Sequence, residues 1–420
     1  MKLVLLLRLA ARNVARNARR STLTALAMVI GLALLVFSRA LADGGHEDWI
    51  RGAVRLGDGH VVLESPAFAR SRDLADRLTP GALAAAERAL AAPALRPLLV
   101  AAAPRLEVAA LATAAAAAVP VAAVGVDPAA EARFSTLPGK LTEGRFLAPD
   151  DRGAAYVGDR LARRLGLHVG SRFVVSAQGA DGQIADQLLR VVGVFRTGLP
   201  DADEGLIQVP LATARQWLGT GAAATAVALL LRDSHDVDRA AAALGAALAG
   251  RRDVAALSWR AAMPELDSAV KLDDDGDYLM HGILFAIIGL AIVNTMLMSV
   301  LNRSREFGIL RALGLTRGQT GAIVFGEGLL LTAASGLVGL ALGAGATWLL
   351  FRHGLDYSAL MKGNITMAGA VISPIIVPIL GPAQLLQSLA YIAAVGVLAA
   401  LYPAYRATKL DLVEAMKFDA

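Results

Sequence analysis

The chain has 420 residues, 56% of them hydrophobic, with no cysteine and a formal net charge of +5. The lack of cysteine excludes disulfide staples, zinc–thiolate sites and cysteine nucleophiles together. The basic residues lie in short blocks beside apolar runs instead of a patch interleaved with aromatics, which argues against a nucleic-acid footprint.

A soluble domain averages about 45–50% apolar residues. The excess here sits in long runs near both ends, which points to membrane segments flanking a folded insert. Residues 1–20 carry Lys2, Arg8, Arg12, Arg16, Arg19 and Arg20 and no acid. An uncharged run follows over 21–38. A bilayer core needs about 20 such residues, so 21–42 is expected to be the first span. Ala40-Leu41-Ala42 resembles a small-x-small cleavage site. The run is longer than the usual signal core of about 7–15 residues, so an uncleaved anchor is the expectation.

Residues 43–280 alternate short β-like and helix-like runs and read as an α+β domain, divisible into two subdomains. Strands are expected over 60–64, 105–111, 119–126, 172–177, 188–195, 206–209 and 226–232. Helices are expected over 80–92, 158–165, 211–218 and 237–249. A further helical run, 263–271, is placed to run continuously into the second span as a stiff rod, interrupted or modulated at Asp273–Asp277. That acidic cluster suggests a hard cation in type, but apolar residues follow at once. A solvated collar at the end of a span is the simpler reading.

The second span is expected over 281–302 and the third over 319–351, with a cytoplasmic element, 303–318, between them. The third run contains Gly339-x-x-x-Gly343, a spacing that lets membrane helices approach closely. Pro374, Pro378 and Pro382 break the next apolar stretch. Residues 352–382 are therefore expected to form an outer loop, with the fourth span over 383–405 and a tail over 406–420. Four spans place three basic segments on one side: the N-terminus, the Arg303–Arg317 loop and the tail. That is the cytoplasmic side by the positive-inside rule. The fold class is thus an integral membrane α-helical protein with four transmembrane helices. A large α+β extracytoplasmic domain is inserted between helices 1 and 2.

No G-x-x-x-x-G-K-[ST], H-E-x-x-H or G-x-S-x-G pattern occurs. No catalytic, cofactor-binding or metal-ligating residues are assigned, and a non-catalytic role is expected. The informative element is the short loop after the second span. Arg303, Arg305, Glu306 and Arg311 supply charge, and Phe307, Leu310 and Leu313 an apolar stripe at i, i+3, i+6. Gly308 lies within it and Gly314 is placed to end it. Such an amphipathic helix either docks in a groove of a cytosolic partner or lies on the headgroups. Glu327, an acid within the third apolar run, either pairs with a neighbouring Arg or serves a helix rearrangement.

Residues 294–300 with Arg305-Glu306-Phe307-Gly308-Ile309-Leu310-Arg311-Ala312-Leu313-Gly314 resemble the signature second span and coupling helix of the FtsX-like permeases of ATP-binding-cassette systems. These include the MacB and LolC/LolE types. The tail from Tyr402-Pro403-Ala404-Tyr405-Arg406 to Glu414-Ala415-Met416 is similar to that family's C-terminal signature. Gly144-Arg145-Phe146, Gly158-Asp159-Arg160-Leu161-Ala162 and Val191-Val192-Gly193-Val194-Phe195 resemble its periplasmic core.

The resemblance implies an inner-membrane permease with both termini cytoplasmic, paired with a second copy or a paralogue and bound to a cytosolic ATPase dimer. ATP and magnesium would be held by that partner and not by this chain. The coupling residues would be Arg303, Arg305, Glu306, Phe307, Gly308, Leu310, Arg311, Leu313 and Gly314. Without a fused ATPase, and with a large outer domain, the chain looks nearest the lipoprotein-releasing branch. A lipoprotein substrate, a periplasmic lipoprotein carrier and membrane lipid would be its other partners. MacB-like efflux and FtsX-like control of cell-wall hydrolases are the alternatives.

Overall fold

The computed structural model describes residues 18–115, 117–357, 366–367, 370–371 and 375–409. These divide into two compact units, one built around four long apolar helices and the other around residues 46–271.

The four helices are α1 (Ala18–Leu56), α8 (Pro264–Asn302), α10 (Arg317–Phe351) and α11 (Pro382–Thr408), with the short α9 (Ser304–Ala312) between α8 and α10. All four long helices are apolar enough over sufficient length to cross a membrane, and the protein is a multi-pass membrane protein. Each runs beyond the span expected from apolar runs alone. Nothing in a lipid-free stretch of sequence stops a helix when its backbone hydrogen bonds continue. The helical run expected over 263–271 continues into the second span as one helix, α8, which passes through Asp273–Asp277 without a break. Pro403 lies inside α11 and not at its end.

Small residues set how closely these helices pack. A Cβ on Gly339 would stand 3.0 Å from Leu32 Cβ and from Val29 O. One on Gly343 would stand 2.8 Å from Ala33 Cα. The Gly339/Gly343 pair therefore lets α10 meet α1 backbone to backbone, where dispersion replaces the hydrophobic effect as the source of attraction. Met28, Leu32, Ile292, Met296, Val324, Leu331 and Ile392 fill the centre of this unit.

Between α10 and α11, the described pairs are short: 355–356 with 375–376, and 366–367 with 370–371, both antiparallel. The rest of the proline-punctuated loop expected over 352–382 lies largely outside the described residues.

The second unit holds a ten-stranded mixed sheet. Its strands are β1 (Val61–Glu64), β2 (Leu99–Ala114), β3 (Ala117–Val126), β4 (Leu141–Gly144), β5 (Ala154–Gly158), β6 (Arg172–Gln178), β7 (Ile184–Phe195), β8 (Leu206–Pro210), β9 (Ala226–Leu231) and β10 (Ala255–Ser258). Its helices are α2 (Pro80–Leu90), α3 (Pro128–Phe134), α4 (Asp159–Leu165), α5 (Pro200–Gly205), α6 (Leu211–Trp217) and α7 (Val237–Ala247), with shorter turns between.

The long β2 joins two lobes. Its first half pairs β9, in the order β10-β1-β9-β2, over a core of Leu63, Ala86, Leu229 and Leu244 from β1, α2, β9 and α7. Its second half pairs β3 and β6. The strands β2-β3-β8-β5-β7-β6 then return to β2, closing a six-stranded ring. Side chains such as Leu106, Val157, Phe173, Val175 and Ile207 form a core there, as befits a small closed barrel.

At the junction, Arg105 of β2 is buried. It donates to Gly57 O at 2.5 Å and pairs with Glu131 of α3 at 2.7 Å. β4, β5, β10, α3 and α5 are absent from the sequence expectation. They are short or alanine-rich, so period alone does not mark them.

Candidate coupling site at the short inter-span helix

The residues between the second and third spans fold into α9, bounded by two distinct stops. Its start follows Arg303, whose carbonyl accepts from Phe307 N at 3.0 Å. Its end is a Schellman motif. Gly314 N donates to Arg311 O at 3.0 Å and Leu315 N to Leu310 O at 3.1 Å. Gly314 has φ 104°, a conformation that favours glycine. Two residues on, Thr316 caps α10 in a reciprocal box with Gln319. Thr316 Oγ1 accepts from Gln319 N at 3.3 Å, and Thr316 N donates to Gln319 Oε1 at 2.9 Å. The helix–turn–helix angle here is thus fixed by caps as well as packing.

Arg303 is the centre of the site. Its Nη1 donates to Glu327 Oε1 at 2.9 Å, and its Nε donates to Glu306 Oε2 at 2.9 Å. The guanidinium lies 5.0 Å from the centroid of the Phe307 ring. The side chains of Arg303 and Glu327 are only 8% and 6% exposed. The acid in the third span is therefore neutralised by an ion pair with the end of the second. A charge at that depth is tolerated only with such a partner. Phe307 is buried in the same core as Val300, Val324 and Ala407, and Gly308 beside it is also buried.

The expected apolar stripe of Phe307, Leu310 and Leu313 does not form one face. Phe307 points into the core, Leu310 is half-buried, and Leu313 is 77% exposed. The reason is the helical period: at roughly 3.6 residues per turn, positions i and i+6 lie about 120° apart around the axis, so Leu313 falls on a different side from Phe307. The outward face is instead Arg305, Ile309, Ala312 and Leu313, at i, i+4, i+7 and i+8. Arg311 is half-buried and Glu306 is partly covered beside Arg303. Sequence reasoning missed Ile309 and Ala312. The i, i+4, i+7 spacing from Arg305 was the available signal.

The site therefore has an inner set that locks α9 to α10 and an outer set that is open. Among the described residues no group of three His, Asp or Glu side chains is arranged to hold a metal.

Two family models match the chain. The FtsX-like permease C-terminal model covers residues 278–412, which include the whole of this site. The MacB-like periplasmic core domain model covers residues 21–247, more than half the chain. The chain belongs to the MacB/FtsX-like permease family. This permease is 31% identical over 138 residues to the uncharacterized ABC transporter permease YknZ of Bacillus subtilis, covering 33% of this chain and 30% of that protein. It is 26% identical over 313 residues to the macrolide export ATP-binding/permease protein MacB of Bdellovibrio bacteriovorus, covering 70% and 44%. It is also 26% identical over 310 residues to the lipoprotein-releasing system transmembrane protein LolC of Xylella fastidiosa, covering 70% and 72%. The chain spans less than half the length of the first two of these relatives.

Proposed function

We propose that this permease is the membrane subunit of an ATP-driven transporter, and that α9 receives the motion of a cytosolic ATPase. The observation that carries the proposal is the division of α9 into two faces. Arg303, Glu327 and Phe307 fasten it to the membrane unit, while Arg305, Ile309, Ala312 and Leu313 stay exposed. A short helix held in this way moves with the base of α10 when its open face is pushed. Nucleotide with its magnesium is bound by a separate ATPase chain, present as a dimer under two permease subunits, either two copies or a copy and a paralogue. Both termini lie on the ATPase side, in keeping with the basic residues there.

The cargo proposed is a lipoprotein taken from the inner membrane, handed to a periplasmic carrier. The match to LolC, which extends over 72% of that relative, supports this reading. The similarity to MacB supports export of a small molecule as the second reading. Glu327 is proposed to act as a fixed strut and not as a proton carrier, since its carboxylate is engaged by Arg303.

The test is co-purification of the permease with its ATPase, followed by hydrolysis rates for Ile309→Asp and Leu313→Asp. Loss of permease-dependent stimulation, with the isolated ATPase rate unchanged, is the expected result. Unchanged stimulation would sink the docking role. Depletion of the permease should leave lipoproteins in the inner membrane. If lipoprotein sorting is intact and drug sensitivity rises, export is the function.

A further inference from the structure

At the end of the apolar runs nearest the inserted domain in sequence, three helices of the membrane unit bring polar groups together. Arg39 of α1 is the first charge after the uncharged run 21–38, and His281 of α8 directly precedes the run 282–301. Gln387 lies in the second turn of α11. Arg39 Nη2 donates to Gln387 Oε1 at 3.4 Å, a long bond. The charges of Arg39 and Asp277 both act on His281. One turn deeper, the Phe285 and Tyr391 rings meet with centroids 5.7 Å apart and join α8 to α11. Ala40 O accepts from Ile379 N at 2.8 Å, so the segment leading into α11 is tied to α1. These contacts define a polar notch with an aromatic floor.

The notch is chemically incomplete. Arg39 Nε and His281 Nε2 are enclosed and have no hydrogen-bond partner among the described residues, and His281 is 6% exposed. A guanidinium offers five donors, and Arg39 uses one of them for a long bond. An enclosed donor left without an acceptor loses its hydration with nothing in return. A guanidinium and an imidazole N–H both call for an anionic oxygen, and planar donors match phosphate in particular. Two carboxylates lie one turn outward on the same helices. Asp43 follows Arg39 by four residues and accepts from Gln384, and Asp277 precedes His281 by four. The notch is thus positive at its inner end and negative at its outer end.

We infer that it binds the headgroup of a zwitterionic phospholipid of the phosphoethanolamine type. The phosphate sits on Arg39 and His281, and the ammonium points outward to the Asp43 and Asp277 level. A snorkelling arginine would extend fully into the headgroup layer, but Arg39 keeps its Nε enclosed between helices. The lipid would then act as a wedge between α1, α8 and α11. The inference stands apart from the identity of the cargo.

The test is native mass spectrometry of the full-length permease titrated separately with phosphatidylethanolamine, phosphatidylglycerol, diacylglycerol and inorganic phosphate. One phosphatidylethanolamine per chain should be retained in preference to phosphatidylglycerol, with no matching retention of diacylglycerol. Arg39→Gln should weaken retention by roughly ten-fold or more, from the loss of a charge-assisted bond, and Arg39→Lys should restore part of it. Gln387→Leu, at an exposed position, should weaken it less and guards against a folding defect in the Arg39 variants. Equal retention of diacylglycerol and phosphatidylethanolamine would overturn the inference, since water would then fill the notch. Displacement of the lipid by inorganic phosphate, with no preference among headgroups, would overturn the lipid assignment. Unchanged retention in Arg39→Gln would overturn the site.

Discussion

Replacing Glu327 by Gln removes the charge that faces Arg303 while keeping the side-chain shape. Nη1 and Oε1 are 2.9 Å apart, and both side chains are nearly enclosed. With charge centres about 4 Å apart and an effective dielectric near 20, the attraction is about 4 kcal/mol. Removing one partner of a buried pair typically costs about 3–5 kcal/mol, because the other charge is stranded. Glu327→Gln should fall near the lower end, about 3 kcal/mol, since an amide oxygen still accepts a hydrogen bond. Arg303→Met should cost at least as much, because the Glu306 bond and the stacking on Phe307 are lost with it. The double variant Arg303→Met/Glu327→Gln leaves no buried charge. It should therefore be more stable than the sum of the single losses predicts, by about 2 kcal/mol or more. The assay is equilibrium unfolding of the full chain in mixed micelles, followed by far-UV circular dichroism, as a double-mutant cycle. Losses that add within about 0.5 kcal/mol would refute the argument that the two charges are a single buried unit. A double variant that is stable yet fails to stimulate the ATPase would show that the pair transmits motion as well as holding α9 in place.

Gly343→Val should lower stability by about 1–3 kcal/mol, because its Cβ would meet the Ala33 backbone. Gly345→Ala, where nothing lies within 4 Å of the added Cβ, should be neutral or better in the same melt. Ile309→Asp and Leu313→Asp leave the melting temperature unchanged, since both side chains are exposed, while abolishing stimulation of the ATPase; a matching loss of stability would assign them to the core. In the inserted domain, burial pushes the Glu64 carboxyl up to about 7, with Arg72 pulling it down and Asp58 and Glu107 raising it further. Its folded pKa lies above the unfolded one, so the folded state holds a proton that the unfolded state releases. Stability from this group is therefore present at low pH and lost as pH rises from about 4.5 to about 7, by on the order of 3 kcal/mol at most. Urea titrations of the permease at pH 5 and pH 8 should show this loss, and Glu64→Gln should flatten it; an unchanged pH profile in Glu64→Gln would reject the assignment.

The apolar runs are legible because a bilayer imposes one length and one composition on each span, and the four long helices follow from them. The ends of those helices are less legible. Beyond the apolar run, α1 continues to Leu56 and α8 begins at Pro264, held by backbone hydrogen bonds that no hydropathy pattern records. Strands with Val and Leu between turn residues stand out in the sequence. The alanine-rich β5 and the four-residue β4 and β10 exist because neighbouring strands pair with them.

The coupling element shows the same division at the scale of single residues. Arg303 to Gly314 was recognisable from its charge pattern and its closing glycine, and Glu327 from its cost within a span. That Arg303 is Glu327's partner depends on two residues 24 apart being brought to 2.9 Å by the turn between α8 and α10. That Phe307 faces inward and Leu313 outward depends on which side of α9 packs against Val300, Val324 and Ala407. Composition and period, which act along the chain, determined that this is a membrane protein with four spans and an inserted domain, while its motifs and the family models made it a permease. The choice of ion-pair partners, the open face of α9 and the notch at Arg39 and His281 were decided by tertiary structure. Each depends on distances between helices, and those are set by packing of small residues such as Gly339 and Gly343 against α1.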